Sequence, residues 1–406
     1  MRLAAEAVIP AERSRATLPV LFGVVILDLV GFGIVMPILP FYAREFGADA
    51  TRLGFLLMVY AAAQFVCAPL WGRLSDRIGR RPVMLLTVAG TSLSLLAMGL
   101  ADSLEWLFLA RILGGCFAAN VGVASAYIAD VTGEDERTRW MGMLGASFGV
   151  GFVLGPAIGG ILAPYGYAVP MLVAAGLAAL NFGQAVFSLR EPPRHARADG
   201  QGAEVRRLTV LRDPLIRWLC LSNLLFSVAV TQLETVFAFF MMDRFSYDAR
   251  EVALILVGMA VVMGGIQGGG MKALSERFAE RTLVIAGTGL LAGAFLALPA
   301  SPSVGVLLAP LGVAAVGRAI VQPSLMSLVS VAAEPERRGI AMGTFQSAAS
   351  LARVVGPVAA GWLYDREDAA PFWLAGGLLL AVALLARALP TRAEPVAPVT
   401  EQPARR

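Results

Sequence analysis

The sequence predicts an all-α membrane protein with twelve transmembrane helices in two six-helix bundles. Three observations carry that expectation. Hydrophobic residues make up 57% of the 406-residue chain and charged residues 15%, whereas a soluble domain carries about 25% charge. The apolar residues fall in long runs, each close to the ~20 residues an α-helix needs to cross a bilayer. One charged stretch also occurs twice, 200 residues apart: Leu74 aligns with Leu274, Ser75 with Ser275, Asp76 with Glu276, Arg77 with Arg277 and Arg81 with Arg281. The register continues where Glu136-Arg137 meets Glu336-Arg337 and, with one residue of slip, where Gly155-Pro156 meets Gly356-Pro357. Long-period self-similarity in a hydrophobic chain marks duplicated helical bundles that rock about a central site.

The elements follow in order. Residues 1–17 form a basic, cytoplasmic N-terminus. The first apolar run is longer than the ~7–15 residues of a signal-peptide core, so it is a retained helix. The first bundle, 18–189, holds segments 1 to 6 at 18–43, 53–71, 82–100, 105–129, 140–162 and 169–189. Residues 190–213, rich in charge, Gly and Pro, read as a cytoplasmic linker. The second bundle, 214–389, holds segments 7 to 12 at 214–242, 252–271, 282–298, 304–331, 339–363 and 371–389. The tail, 390–406, repeats Pro and charge and is expected to be a disordered cytoplasmic extension.

Net charge is +4 and the pI about 9.2. The basic residues lie in short turns between apolar segments, which points to topology rather than nucleic-acid binding. With both termini in the cytoplasm, 25 of the 33 Lys and Arg residues fall on the cytoplasmic side and five outside; the positive-inside rule favours that orientation. Cys67, Cys116 and Cys220 lie in apolar segments without CxxC spacing, and the lone His195 lies in a polar loop. No metal site or disulfide is expected. The 43 glycines and 23 prolines suit membrane helices, where small residues let backbones approach and neighbours satisfy groups that Pro leaves open. Gly268-Gly269-Gly270 does not open a phosphate cradle, and no Walker motif appears, so neither nucleotide nor other cofactor is expected. No nucleophile or acid–base constellation suggests an enzyme.

Four groups of residues carry chemistry. In the loop between segments 2 and 3, Gly72, Asp76, Arg77, Gly79, Arg80 and Arg81 form a dense charged turn. The Asp76 carboxylate suits capping of segment 11 near Gly339, and Arg80 suits pairing with Asp130 at the end of segment 4. In segment 5, Gly145, Gly149, Gly151, Gly155, Gly159 and Gly160 build stripes of exposed backbone, and Pro156 adds a kink. Such a helix is expected to slide against segment 8.

Asp28, Arg111 and Glu234 are charges inside apolar segments, and intramembrane ionisable residues are functional candidates. In the 200-residue register, Glu234 lies six residues, about 9 Å, further outward than Asp28. Burial disfavours a charged carboxylate and a nearby Arg favours it. Asp28 or Glu234 is therefore expected to take the proton, with Arg111 as counter-charge. Gln64, Asn120, Gln232, Gln322 and Gln346 are the polar candidates to line a substrate cavity.

On these motifs the chain resembles the major facilitator superfamily, and within it the twelve-helix drug:proton antiporters, most of all the tetracycline-efflux branch. The loop signature is complete from Gly72 to Arg81, the segment 5 antiporter signature runs from Gly145 to Gly160, and Arg111 with Gly115 represents the segment 4 signature. The resemblance implies a charge latch on the loop, export rather than import, and a coupling role for Asp28 and Arg111. One departure stands out: Ser94 occupies the segment 3 position of an Asp in the tetracycline exporters. The expected function is proton-coupled efflux of amphiphilic drugs or antibiotics by alternating access. The partners are a small-molecule substrate, protons and membrane lipid, and the expected state is a monomer. A proton-coupled metabolite or sugar carrier and a non-transporting membrane sensor remain the alternatives.

Overall fold

The computed structural model describes residues 17–192, 210–334 and 337–387, without the side chains of residues 134–135. The N-terminal stretch 1–16, most of the linker, His195, Glu336 and the tail lie outside the described residues. Every regular element among the described residues is helical. Twelve long helical segments follow one another: α1 Leu18–Glu45, α2 Ala50–Ile78, α3 Arg80–Gly99, α4 Leu104–Val131, α5 Glu134–Leu162, α6 Ala168–Ser188, α7 Pro214–Phe245, α8 Ala249–Arg277, α9 Glu280–Ala297, α10 Val304–Ala332, α11 Arg338–Tyr364 and α12 Ala370–Arg387. Eleven are long and apolar enough to cross a membrane. The exception is α11, which has 27 residues but carries Thr344, Gln346, Ser347, Ser350 and Arg353 among its apolar positions.

Two segments depart from the continuous helices expected from the sequence. The α4 segment is two helices, Leu104–Phe117 and Asn120–Val131, separated at Ala118–Ala119. The α8 segment continues past Gly265 through a π-helical turn, Ile266–Gly270, to Arg277. Three glycines in that turn weaken the normal helical pattern, and a single π turn accommodates the change. The starts of α2 and α4 are capped by the short polar residue just before them. The Asp49 side chain accepts from the Arg52 amide at 2.7 Å at the start of α2, and Ser103 caps α4.

The chain groups into two compact units, and the grouping differs from the division at the linker. The first unit holds α1 to α6 together with Thr231–Val261 and Arg353–Pro371; the second holds residues 210–230, Val262–Ala352 and the helix from Phe372. The turn joining α7 to α8 and the end of α11 thus belong with the first six helices. Missing side chains allow this. A Cβ at Gly54 of α2 would strike the Pro357 carbonyl of α11, one at Gly361 would strike the Ala50 carbonyl, and one at Gly160 of α5 would lie 2.6 Å from Ala253 of α8.

Within the first unit, α1 packs on α5 backbone to backbone. A Cβ on Gly155 would lie 2.5 Å from the Gly33 Cα, one on Gly33 would lie 2.5 Å from the Gly151 carbonyl oxygen, and one on Gly159 would lie 2.9 Å from the Ile34 oxygen. Lipid tails are as apolar as side chains, so close van der Waals packing holds such helices together. The expectation that this glycine stripe lies against segment 8 is corrected here. Gly151, Gly155 and Gly159 face α1, Gly160 meets α8, and Gly145 and Gly149 have nothing within 4 Å of an added Cβ. The second unit uses the same device where Gly287 of α9 and Gly317 of α10 face each other, with a Gly317 Cβ 2.7 Å from the Gly287 oxygen.

This packing separates two substitutions in one helix. Gly155→Ala should destabilise the purified protein by about 1–3 kcal/mol through overpacking. Gly145→Ala should be neutral or stabilising by up to about 1 kcal/mol, because Ala favours the helix and open space receives it. Thermal unfolding midpoints of the two variants against wild type check the contrast.

Candidate functional site

Asp28, in the middle of α1, is half-buried. It accepts a hydrogen bond from Asn120 Nδ2 at 2.7 Å. Asn120 is 2% exposed and is the first residue of the second half of α4. The break in α4 therefore places a helix N-terminus and an amide donor at the Asp28 carboxyl, and both favour negative charge there. One turn earlier on α1, the Val24 carbonyl accepts from the buried Asn181 side chain of α6 at 2.9 Å.

The break also leaves carbonyls without helical partners, and α2 supplies the missing donors. Gln64 Nε2 donates to the Ala118 oxygen at 2.9 Å, and Trp71 Nε1 donates to the Cys116 oxygen at 2.6 Å. Unpaired backbone groups in a bilayer cost several kcal/mol each, so these two side chains make the broken helix tolerable.

Arg111 lies in the first half of α4, 5% exposed. Its guanidinium carbon stands 4.1 Å from the centre of the Tyr60 ring on α2. Gly115 permits this approach, because a Cβ there would strike the Tyr60 carbonyl. Among the described residues neither Asp28 nor Arg111 is part of an ion pair, and the Arg111 Nε has no hydrogen-bond partner. The expected Arg111–Asp28 counter-charge arrangement is therefore replaced by two separate ones. Asp28 rests on an amide, and Arg111 rests on an aromatic face. A desolvated cation–π contact is worth about 2 kcal/mol, far less than the cost of burying a lone charge. Ser94 donates to the Ala110 carbonyl at 2.8 Å and is used between α3 and α4.

The other polar candidates fall in both units. Asn120 belongs to Asp28 rather than to an open cavity, and Gln64 serves the break in α4. Gln232, wholly buried in α7, donates to the Gly356 oxygen of α11 at 3.2 Å. Gln322 is half-buried and Gln346 exposed, and both lie in the second unit. Glu234 is exposed within an otherwise buried stretch of α7.

The loop between α2 and α3 is a dense network. Arg80, with a side chain 7% exposed, bridges Asp76 at 2.7 Å and Asp130 at 2.8 Å, and its NH1 donates to Ser75 Oγ at 2.6 Å. Glu191, just beyond α6, accepts from the Arg80 and Arg81 amides at 2.7 and 2.8 Å and so caps α3. Gly79 is needed twice over: its φ is +110°, and an added Cβ would fall 2.5 Å from the Glu191 carboxylate. Arg81 donates to the Val186 carbonyl at 2.7 Å. Gly72 has open space.

A second network joins the far ends of α1, α2, α7 and α11. Arg44 pairs with Asp243 at 2.7 Å, Tyr364 Oη donates to Asp243 at 3.1 Å, and Arg44 lies over Phe239. Asp365 accepts from the Ala50 and Thr51 amides at 3.1 and 2.8 Å and from the Thr51 hydroxyl. An acid at the end of α11 thus caps the start of α2. Reading by segments missed Tyr60, Glu191, Arg44, Asp243 and Asp365. Tyr60 counts as one more apolar residue of its segment, and the other four stand at segment ends, where charge is expected in any case.

Residues 21–272 and 270–405 match the Major Facilitator Superfamily. The chain belongs to that superfamily. Among its curated relatives, "Tetracycline resistance protein, class D" of Salmonella ordonez is 34% identical, over 90% of this chain and 95% of the relative. "Multidrug resistance protein 1" of Bacillus subtilis (strain 168) is 30% identical, over 90% and 94%. Among solved structures, the human organic anion transporter MFSD10 (TETRAN) superposes with a TM-score of 0.70 at 27% identity, covering 92% of this chain and 99% of that one. The twelve segments are therefore those of a multi-pass Major Facilitator Superfamily membrane protein.

The far-end network ranks its own contacts. The Arg44 and Asp243 side chains are 45% and 38% exposed, so Arg44→Ala should cost less than about 1 kcal/mol. Asp365→Ala removes the carboxylate cap and should cost about 0.5–2 kcal/mol. Comparing the unfolding midpoints of both variants checks that order.

Proposed function

We propose that this protein exports amphiphilic organic compounds, antibiotics among them, from the bacterial cytoplasm by proton-driven alternating access. The observation that carries the reading is the placement of Asp28 at the N-terminus of a half-helix, with Arg111 held apart from it on Tyr60. Such a carboxyl has two stable partners within one bundle. When ionised, it attracts Arg111 away from the ring. When protonated, it releases Arg111 to Tyr60 and keeps the Asn120 hydrogen bond. Proton binding is thereby converted into movement of a buried charge beside the break in α4.

Alternating access needs closures that form in turn on the two membrane faces. The Arg80 network and the Asp365 cap suit those parts, since each gathers charge and backbone amides at a helix end. Export polarity follows from the antiporter-type α5 and from relatives that carry resistance names. Those names make tetracyclines and unrelated drugs the first cargo to test, and Ser94 marks where the coupling differs from the tetracycline branch. The carrier works as a monomer in the inner membrane, with both termini in the cytoplasm. It uses the proton gradient in place of ATP or a cofactor and changes no covalent bond of its cargo.

The test is drug accumulation in an efflux-deficient bacterial host, with tetracyclines, phenicols, fluoroquinolones and cationic dyes. Wild type should lower accumulation of at least one compound, and collapse of the proton gradient should abolish that effect. Asp28→Asn should lose it at equal expression. Asn120→Ala should slow it about tenfold or more, since a hydrogen bond to a charged group contributes about 1.5–3 kcal/mol. If well-expressed wild type changes no compound, drug export fails on that panel and counterflow with labelled metabolites becomes the next assay.

A further inference from the structure

The face of α2 that turns toward α4 carries Tyr60, Ala63, Gln64, Cys67 and Trp71, at the three- and four-residue spacing of one helical stripe. Opposite it lies the last turn of the first half of α4. A Cβ on Gly115 would lie 2.8 Å from the Ala63 side chain, Trp71 holds the Cys116 carbonyl at 2.6 Å, and Gln64 holds the Ala118 carbonyl at 2.9 Å. Cys67 stands between Gln64 and Trp71 on this stripe and therefore faces residues 116–118. Cys116 stands on that same turn, so the two cysteines occupy facing turns of α2 and α4, flanked by the Trp71 and Gln64 hydrogen bonds. Both cysteines are unbonded and half-buried, whereas Cys220, on α7, is buried. The backbones on the two sides are fixed by the Trp71 and Gln64 hydrogen bonds, so the thiol pair is a preset feature of the α2–α4 interface.

We infer that Cys67 and Cys116 form a two-thiol site that chelates trivalent organoarsenic compounds. Thiolate is a soft ligand and selects soft centres, and two thiols held side by side bind one such centre without reorganising the helices. With an arylarsine oxide, two arsenic–sulfur bonds form, the arsenic–oxygen bonds break, and the oxygen leaves as water with both thiol protons. Arsenic stays trivalent and no group is oxidised or reduced. A disulfide would instead require the sulfurs to close to about 2.05 Å with strict dihedral geometry. The chelate would tie α2 to the half-helix that carries Arg111. This site does not depend on the proton-coupling reading, because its chemistry needs only the two thiols.

The experiment uses the purified full-length protein and phenylarsine oxide, read by intact mass. The expected product carries one phenylarsenic group with loss of water. It survives excess 2-mercaptoethanol and is removed by 2,3-dimercaptopropanol. Cys67→Ser and Cys116→Ser should each reduce the monothiol-resistant adduct to background, while Cys220→Ser should retain it. Peptide mapping of arsenic-treated wild type needs no variant: the Cys67 and Cys116 peptides should be recovered as one bridged species. An adduct that 2-mercaptoethanol strips from wild type overturns the site, as does one that persists in either single-serine variant or maps to Cys220.

Discussion

The break in α4 at Ala118–Ala119 is the constraint on which the rest of the first unit depends. A bilayer offers no water to satisfy a free carbonyl or amide, so an interrupted helix survives only where side chains replace the lost hydrogen bonds. Here Gln64 and Trp71 serve the carbonyl side, and the amide side opens toward Asp28 through Asn120. The polar face of α2, the acid of α1 and the start of the second half-helix are therefore a single arrangement. Removing any one member leaves the others with buried polar groups unpaired.

The same economy governs the ends of helices. Glu191 caps α3, and Asp365 caps α2 alongside the local Asp49; in both cases a carboxylate arrives from just past the end of another helix. A capping carboxylate supplied from elsewhere in the chain works as a tertiary tie as well as a local one. It opposes the partial positive charge at the helix start and fixes which helix end lies beside it. Arg80, bridged to two acids and to Ser75, shows how much a single cation can organise once it is nearly removed from solvent.

Glycine does the opposite work, by withholding side chains. Gly33, Gly151, Gly155 and Gly159 bring α1 and α5 into backbone contact, and Asp28 lies on α1 just before that contact. The acid is thus carried on a helix clamped along one side and hydrogen-bonded to α4 and α6 on others. Such a rigid mount suits a residue whose charge, rather than its motion, is expected to change.

The sequence by itself determined the membrane-spanning character, the number of segments, the loop signature, the glycine stripe and the identity of the buried charges. These are properties of composition and spacing, which survive without knowledge of neighbours. Only the tertiary structure decided partners. Asp28 took Asn120 instead of Arg111, Arg111 took Tyr60, and the stripe on α5 took α1 instead of α8. The break in α4 was equally invisible, because Ala118-Ala119 is as good a helix former as its flanks. What sustains it is the supply of donors from α2, and no local pattern records a hydrogen bond that arrives from another helix.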